Sequence, residues 1–237
     1  MDKAVKKPRS TKALYRAISG RANRDPGELL PVGEAQRAPK PEERRSLDLY
    51  PTGEPDAIRG LLAMDGARLR ELGSVWEPAA GYGHMAREIE AFGLPCFVSD
   101  IADHGCPGVQ VRSFYSYSHS GPRAIITNPP YAEINARDGH GRWLRHTLNL
   151  PGWDYCALLL SWDWPAARQN GLGALLDAHP FSYCYLMRWK LDFSGEGSPP
   201  QRNAWFIWDR SYTGTPMVMR FMNRESGNAI RQMELGL

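Results

Sequence analysis

The junction between Ala124-Ile125-Ile126-Thr127 and Asn128-Pro129-Pro130-Tyr131 constrains this 237-residue chain more than any other stretch. A short β-branched run reads as a buried strand of a parallel sheet. Two prolines then stop the strand, because neither can donate a ladder hydrogen bond. Each also pushes the residue before it out of the helical region, so Asn128 and Pro129 are expected to be extended. The strand tip then aims the Asn128 side chain and the Pro129 carbonyl into the crevice beyond the sheet, with the flat ring of Tyr131 one step on. That set suits a planar amine: two acceptors take its N–H groups and the ring stacks on its face. A Pro-Pro turn after an ordinary strand has the same sequence, so the neighbouring segments decide.

Upstream, Val75-Trp76 predicts a short first strand running into Glu77-Pro78-Ala79-Ala80-Gly81-Tyr82-Gly83-His84-Met85-Ala86. A helix follows, with Met85, Ile89 and Phe92 as its apolar stripe. Glycines at such a turn allow tight reversal and close approach of a ligand to the backbone. The Gly-x-Gly-x-x-Ala spacing also fits a dinucleotide fingerprint, which keeps a dehydrogenase in play. Glu77-Pro78 argues against it. A carboxylate there repels a pyrophosphate at the helix N-terminus, whereas it suits an ammonium group. The second strand, Cys96-Phe97-Val98-Ser99, ends at Asp100, 17 residues after Gly83. That separation is expected when a second strand tip delivers an acid to a ribose diol; a helix cap or surface acid is the other reading. Val109-Gln110-Val111 predicts the third strand.

Ahead of these segments, Ile58, Leu61, Leu62 and Leu69 are spaced for the buried face of a helix. After them, Tyr155 to Leu160 predicts a buried strand closing in Ser161-Trp162-Asp163-Trp164, then a helix over 166–178. Tyr183 to Trp189, Ala204 to Trp208 and Met217 to Phe221 predict three further strands. The polar, glycine-containing segment from Ala132 to Gly141 reads as a solvated loop; Arg137 within it and Arg142 just beyond could meet phosphates.

Hydrophobic content of 42% and charged content of 23% are globular values. With no stretch of membrane-spanning length and no apolar segment behind the basic N-terminus, a cytoplasmic location is expected. Cys96, Cys106, Cys156 and Cys184 are scattered, so free thiols are expected rather than a zinc site or disulfides. His140 and His146 lack carboxylate or cysteine partners in the sequence, so no metal site is expected. The net charge of +3 is unevenly spread: residues 1–45 hold twelve Lys/Arg against six Asp/Glu, and the remainder 17 against 20. The front segment, rich in Pro and Gly, therefore reads as a basic, disordered arm ahead of a domain over 46–237. Its lysines and arginines suit tracking of phosphates, although a solubilising tail has the same composition.

Glu77-Pro78-Ala79-Ala80-Gly81-Tyr82-Gly83 resembles the cofactor motif of DNA adenine methyltransferases. Asn128-Pro129-Pro130-Tyr131 resembles the catalytic motif of S-adenosylmethionine-dependent methyltransferases that act on exocyclic or amide nitrogens. Asp48-Leu49-Tyr50-Pro51-Thr52 is similar to the family segment whose aromatic and threonine contact the methionine end of the cofactor. Tyr50 and Thr52 fall on those positions, but Gly53-Glu54 stands where the family has proline. Asn203 to Asp209 resembles the late strand of phage-type adenine methyltransferases, and it is also what an aromatic-rich core strand looks like. The landmarks follow the family order over residues 46–221.

The resemblance implies an α/β fold, a doubly wound, seven-stranded Rossmann-like methyltransferase sheet. It implies S-adenosyl-L-methionine as cofactor, held by Tyr50, Thr52, Glu77, Pro78, Ala79, Gly81, Gly83, Asp100 and Asn128. Where the family often places an aspartate for the cofactor adenine, this chain has Arg112-Ser113-Phe114; Ser113 or backbone groups are expected to serve, with Phe114 packing on the ring. The implied reaction is methyl transfer to adenine N6 in DNA, with Asn128, Pro129, Pro130 and Tyr131 as the catalytic set. Only residues 132–154 and 190–203 are available to read sequence, so weak or short specificity is expected, as in orphan phage or prophage enzymes. An RNA adenine methyltransferase would share every motif. A protein-glutamine methyltransferase also uses Asn-Pro-Pro-Tyr, with a different cofactor motif and no role for a basic arm. A catalytically silent nucleic-acid-binding subunit is the non-enzymatic rival.

Overall fold

Strands that were legible as apolar runs pair into one sheet. In a computed structural model, which describes residues 52–134, 141–166, 172–193 and 202–224, β1 (Val75–Glu77), β2 (Cys96–Asp100), β3 (Gln110–Val111), β4 (Ala124–Thr127) and β5 (Tyr155–Ser161) run parallel. They are joined by β6 (Tyr183–Met187), β7 (Asn203–Asp209) and β8 (Val218–Met222) in the order β3-β2-β1-β4-β5-β7-β6-β8. β7 is antiparallel to both β5 and β6, and β8 is parallel to β6. The basic segment 1–45, Tyr50, Arg137 and His140 lie outside the described residues.

Among the described residues the sheet has eight strands rather than the expected seven, with Val218–Met222 on the outer edge of β6. The helix α1 (Asp56–Leu72) buries Ile58, Leu61, Leu62 and Leu69 as its spacing predicted. With α2 (His84–Ala91) it covers one face of the sheet, meeting Ile126, Tyr155, Ala157, Leu159, Tyr185 and Trp205. The alternate residues Ile125, Cys156, Leu158, Leu160 and Phe206 point to the other face. There α4 (Arg142–Asn149) and α5 (Leu172–Ala178) supply Trp143, Leu144, Leu172 and Leu176. Both faces being covered is why β4 and β5 carry continuous apolar runs rather than alternating ones.

Two elements depart from the sequence reading. The loop expected after Tyr131 begins as a one-turn helix, α3 (Tyr131–Ile134), and α4 follows directly on Gly141. The described part of the helix expected over 166–178 is α5, preceded by a 3-10 turn at Trp164–Ala166.

The chain order reverses beside β1: β2 and β3 continue outward on one side, and β4 returns on the other. Such a switch point opens a crevice at the carboxyl ends of the strands. The same rim receives the first residue of the reversed β7, since Asn203 pairs with Ser161 at the end of β5. Among the described residues, no helix is long and apolar enough to cross a membrane.

Candidate functional site

At the tip of β1, Trp76 Nε1 donates to Ser99 Oγ at 2.9 Å and locks β1 to β2. The next residue, Glu77, is only 2% exposed. Its carboxylate accepts from the Ala86 backbone N–H of α2, while Oε2 has no hydrogen-bond partner among the described residues. Burial pushes the Glu77 carboxyl well above the usual carboxylate range; the Ala86 N–H works against this, the neighbouring Asp100 adds to it and Arg87 opposes it.

The glycine turn beyond is closed by its own backbone. Ala80 N donates to Ser99 O at 3.1 Å and Gly83 N to Ala80 O at 2.7 Å. Gly83 has φ 70°, and a Cβ there would also collide with Cys106 Sγ, so glycine is required on both counts. Asp100, at the tip of β2, takes the Gly81 N–H on Oδ2 at 2.9 Å and lies within 3.3 Å of Ala102 N through Oδ1. Its carboxylate therefore clasps the turn from the adjacent strand. His104 Nε2 stands 3.8 Å from Oδ1.

The side chain after Asp100, Ile101, is 75% exposed at the strand tip and was not picked out from the sequence. An apolar residue directly following a strand-tip acid is the signal that could have found it. Phe114 is placed otherwise than expected. It is 3% exposed and stacked on Trp143 at 4.1 Å, with Trp76 and His146 against its remaining sides. A ring so enclosed presents no face to a ligand and serves the core. Ser113 is partly exposed at the end of β3 and accepts from Ser116.

At the tip of β4, next to β1, Asn128 is almost wholly buried and its Nδ2 donates to Thr52 Oγ1 at 3.0 Å. Thr52 is therefore beside the motif, with its hydroxyl holding the Asn128 amide in place. Pro130 O accepts from Glu133 N at 3.0 Å, which starts α3 and places Tyr131 as its first residue. Asn203, wholly buried, reaches across from β7 and donates to the Tyr131 hydroxyl at 3.3 Å. Glu133 accepts from Tyr115 OH at 2.6 Å, and the Arg142 guanidinium lies over the Tyr115 ring at 3.8 Å. The stretch after β3 is thereby tied to both flanks of residues 135–140. Glu77, Pro78, Ala79, Gly81, Gly83, Asp100, Asn128, Pro129, Pro130 and Tyr131 thus all lie along the carboxyl rim of β1, β2 and β4.

The state of Glu77 has a measurable consequence. Its carboxyl is raised in the fold, so its contribution is fully present below the unfolded value and is lost as pH rises through the folded value. Glu77→Gln removes that ionisation. Without ligand, the variant is expected to melt above the wild type at pH 8, with the gap closing toward pH 5. A gap independent of pH in thermal melts would contradict the buried, unpaired carboxyl.

No family model and no curated protein matches the sequence. Solved structures do share the fold. A Listeria monocytogenes protein assigned to the class I S-adenosylmethionine-dependent methyltransferases superposes with TM-score 0.52 and 13% identity, over 80% of this chain and 72% of that one. A Pyrococcus horikoshii protein assigned as an RNA methyltransferase gives 0.52 and 13%, over 73% and 90%. DrdV, solved with DNA, gives 0.51 and 14%, over 83% of this chain but only 32% of its own. The fold is that of S-adenosylmethionine-dependent methyltransferases.

Proposed function

We propose that this protein transfers a methyl group from S-adenosyl-L-methionine to the exocyclic N6 of adenine in DNA. The observation carrying the reading is the convergence of Asn128-Pro129-Pro130-Tyr131 and the Glu77–Gly83 turn on neighbouring strand tips at the switch point. The bound cofactor supplies an electrophilic methyl group on a sulfonium centre.

The donor and acceptor set fits that cofactor. Glu77 Oε2 is a buried acceptor with no described partner, which suits a cationic amine, and a buried carboxylate is far better tolerated when so paired. Asp100 takes a ribose diol from the tip of β2, and exposed Ile101 offers an apolar surface for the cofactor's base. Gly81, whose N–H meets Asp100, adds no side chain beside that carboxylate.

Adenine N6 is a weak nucleophile because its lone pair is delocalised into the ring. Asn128 Oδ1 and the Pro129 carbonyl accept its two N–H groups, which favours a pyramidal nitrogen and stabilises the positive charge that develops there. Thr52 holds the Asn128 amide so that its acceptor end need not reorganise as charge appears. Tyr131 stacks on an extruded base, and its hydroxyl is pinned by Asn203. The likeness of fold to a DNA-bound protein and the basic front segment favour DNA; an RNA acceptor uses the same atoms. Methyl-labelled S-adenosylmethionine offered with DNA, RNA and protein in parallel tests the substrate class. Label is expected in DNA, and label confined to RNA or protein would overturn the assignment.

A further inference from the structure

Of the eight tryptophans, Trp76, Trp143, Trp153, Trp164, Trp205 and Trp208 are at most 7% exposed and belong to the core. Trp189 is half-buried with its Nε1 donating to Glu54. Trp162 is the exception: it is 43% exposed on the residue where the chain leaves β5 at the ligand rim. Its backbone N–H donates to Arg202 O at 3.0 Å, so main-chain bonding holds the two residues side by side.

Arg202 is also unusual. Arg59, Arg68, Arg123 and Arg224 each face a carboxylate. The exposed Arg202 instead donates to the Arg188 backbone carbonyl at 3.3 Å, and Arg188 donates to Asn223 Oδ1 at 3.4 Å. Among the described residues neither guanidinium has a carboxylate within ion-pair reach. Asp163, exposed beside Trp162, is the acid next to them in sequence, so the two arginines outweigh it.

The pair also adjoins the catalytic motif. Asn203, next in sequence to Arg202, is the residue whose Nδ2 holds the Tyr131 hydroxyl. Trp162 follows β5 and Tyr131 stands just beyond β4, so the two residues leave the same rim from adjacent strands. The turn at β1 and β2 lies on the far side of β4, so a ligand bound there does not account for Trp162.

We infer that Trp162 and Arg202 form a docking point for the nucleotide next to the target base, the indole stacking on that neighbouring base and the guanidinium meeting its phosphate. The inference rests on the nucleic-acid reading above and adds to it a place for the strand from which the adenine is extruded. An exposed indole on a rim that also carries Arg202 and Arg188 is poor surface for an apolar protein partner. It is the pairing of stacking platform and cation that single-stranded nucleotides require.

The test is fluorescence anisotropy of the full chain with a labelled adenine-containing DNA duplex, for wild type, Trp162→Ala, Trp162→Phe and Arg202→Ala. Trp162→Ala is expected to weaken binding about 5- to 150-fold, the range for loss of one stacked base, while Trp162→Phe restores most of it. Arg202→Ala is expected to flatten the dependence of log affinity on log salt by about 0.9, one phosphate contact. Arg202 is exposed, so this arm survives if Trp162→Ala fails to fold; cofactor titration reports on folding in every variant. If wild type binds and methylates DNA but Trp162→Ala and Arg202→Ala bind equally well, the docking point is overturned and the methyltransferase reading stands. If wild type neither binds nor methylates DNA, both fall together.

Discussion

Asn128→Ala is expected to lower the single-turnover rate of adenine methylation by roughly 10²–10³, by analogy with removing one preorganised group from an oxyanion hole. The size follows from where the amide acts. Its acceptor interacts more strongly with an amino nitrogen gaining positive charge than with neutral adenine, so its loss falls on the transition state rather than on binding. Burial adds to the effect by lowering the local dielectric, and the 3.0 Å bond to Thr52 fixes the amide beforehand. Cofactor affinity is expected to stay near that of wild type, and a variant that retains full rate would reject Asn128 as the catalytic acceptor.

The second large effect concerns stability and lies on the other face of the sheet. Asp65 of α1 is 8% exposed and accepts from three phenols: Tyr155 at 2.7 Å, Tyr185 at 2.7 Å and Tyr183 at 3.2 Å. Burial raises its carboxyl, and the three hydroxyls together with Arg220 pull it back. Asp65→Ala removes the acceptor of all three hydroxyls at once, although Tyr185 still accepts from Arg220 at 3.5 Å. At about 1–3 kcal/mol for each unsatisfied buried group, partly relaxed, the loss is expected to be about 3–5 kcal/mol. That is a large share of a domain's roughly 5–15 kcal/mol, and for a chain of this size it lowers Tm by about 6–20 °C. Asp65→Asn keeps one acceptor and is expected to lose less. Melting of the alanine variant within about 2 °C of wild type would mean that the phenols find other partners.

What the sequence disclosed and what it hid divide along physical lines. β1, β2, β4 and β5 were legible because sheets covered on both faces need continuous apolar runs bounded by turn residues. The glycine turn was legible because φ near 70° at Gly83 admits few other residues. α4 escaped notice because only Trp143, Leu144 and Thr147 are buried in it, among Arg142, Arg145 and His146. The family resemblance implied a ligand-facing Phe114, but Trp143 from that unforeseen helix covers its ring. Asp65 gave no local signal, since its partners lie 90, 118 and 120 residues away. Asn203 was visible only as the start of an aromatic strand. Its hold on Tyr131 spans 72 residues and exists only because β7 runs against β5.

The central claim is that the rim of β1, β2 and β4 joins a sulfonium methyl donor to an adenine amino group. The most direct measurement is nucleoside analysis of DNA after one turnover with methyl-labelled S-adenosylmethionine. The account predicts label recovered as N6-methyldeoxyadenosine from wild type and almost none from Asn128→Ala at the same time point. Label on another atom of adenine, on cytosine, or on no nucleoside at all would contradict it.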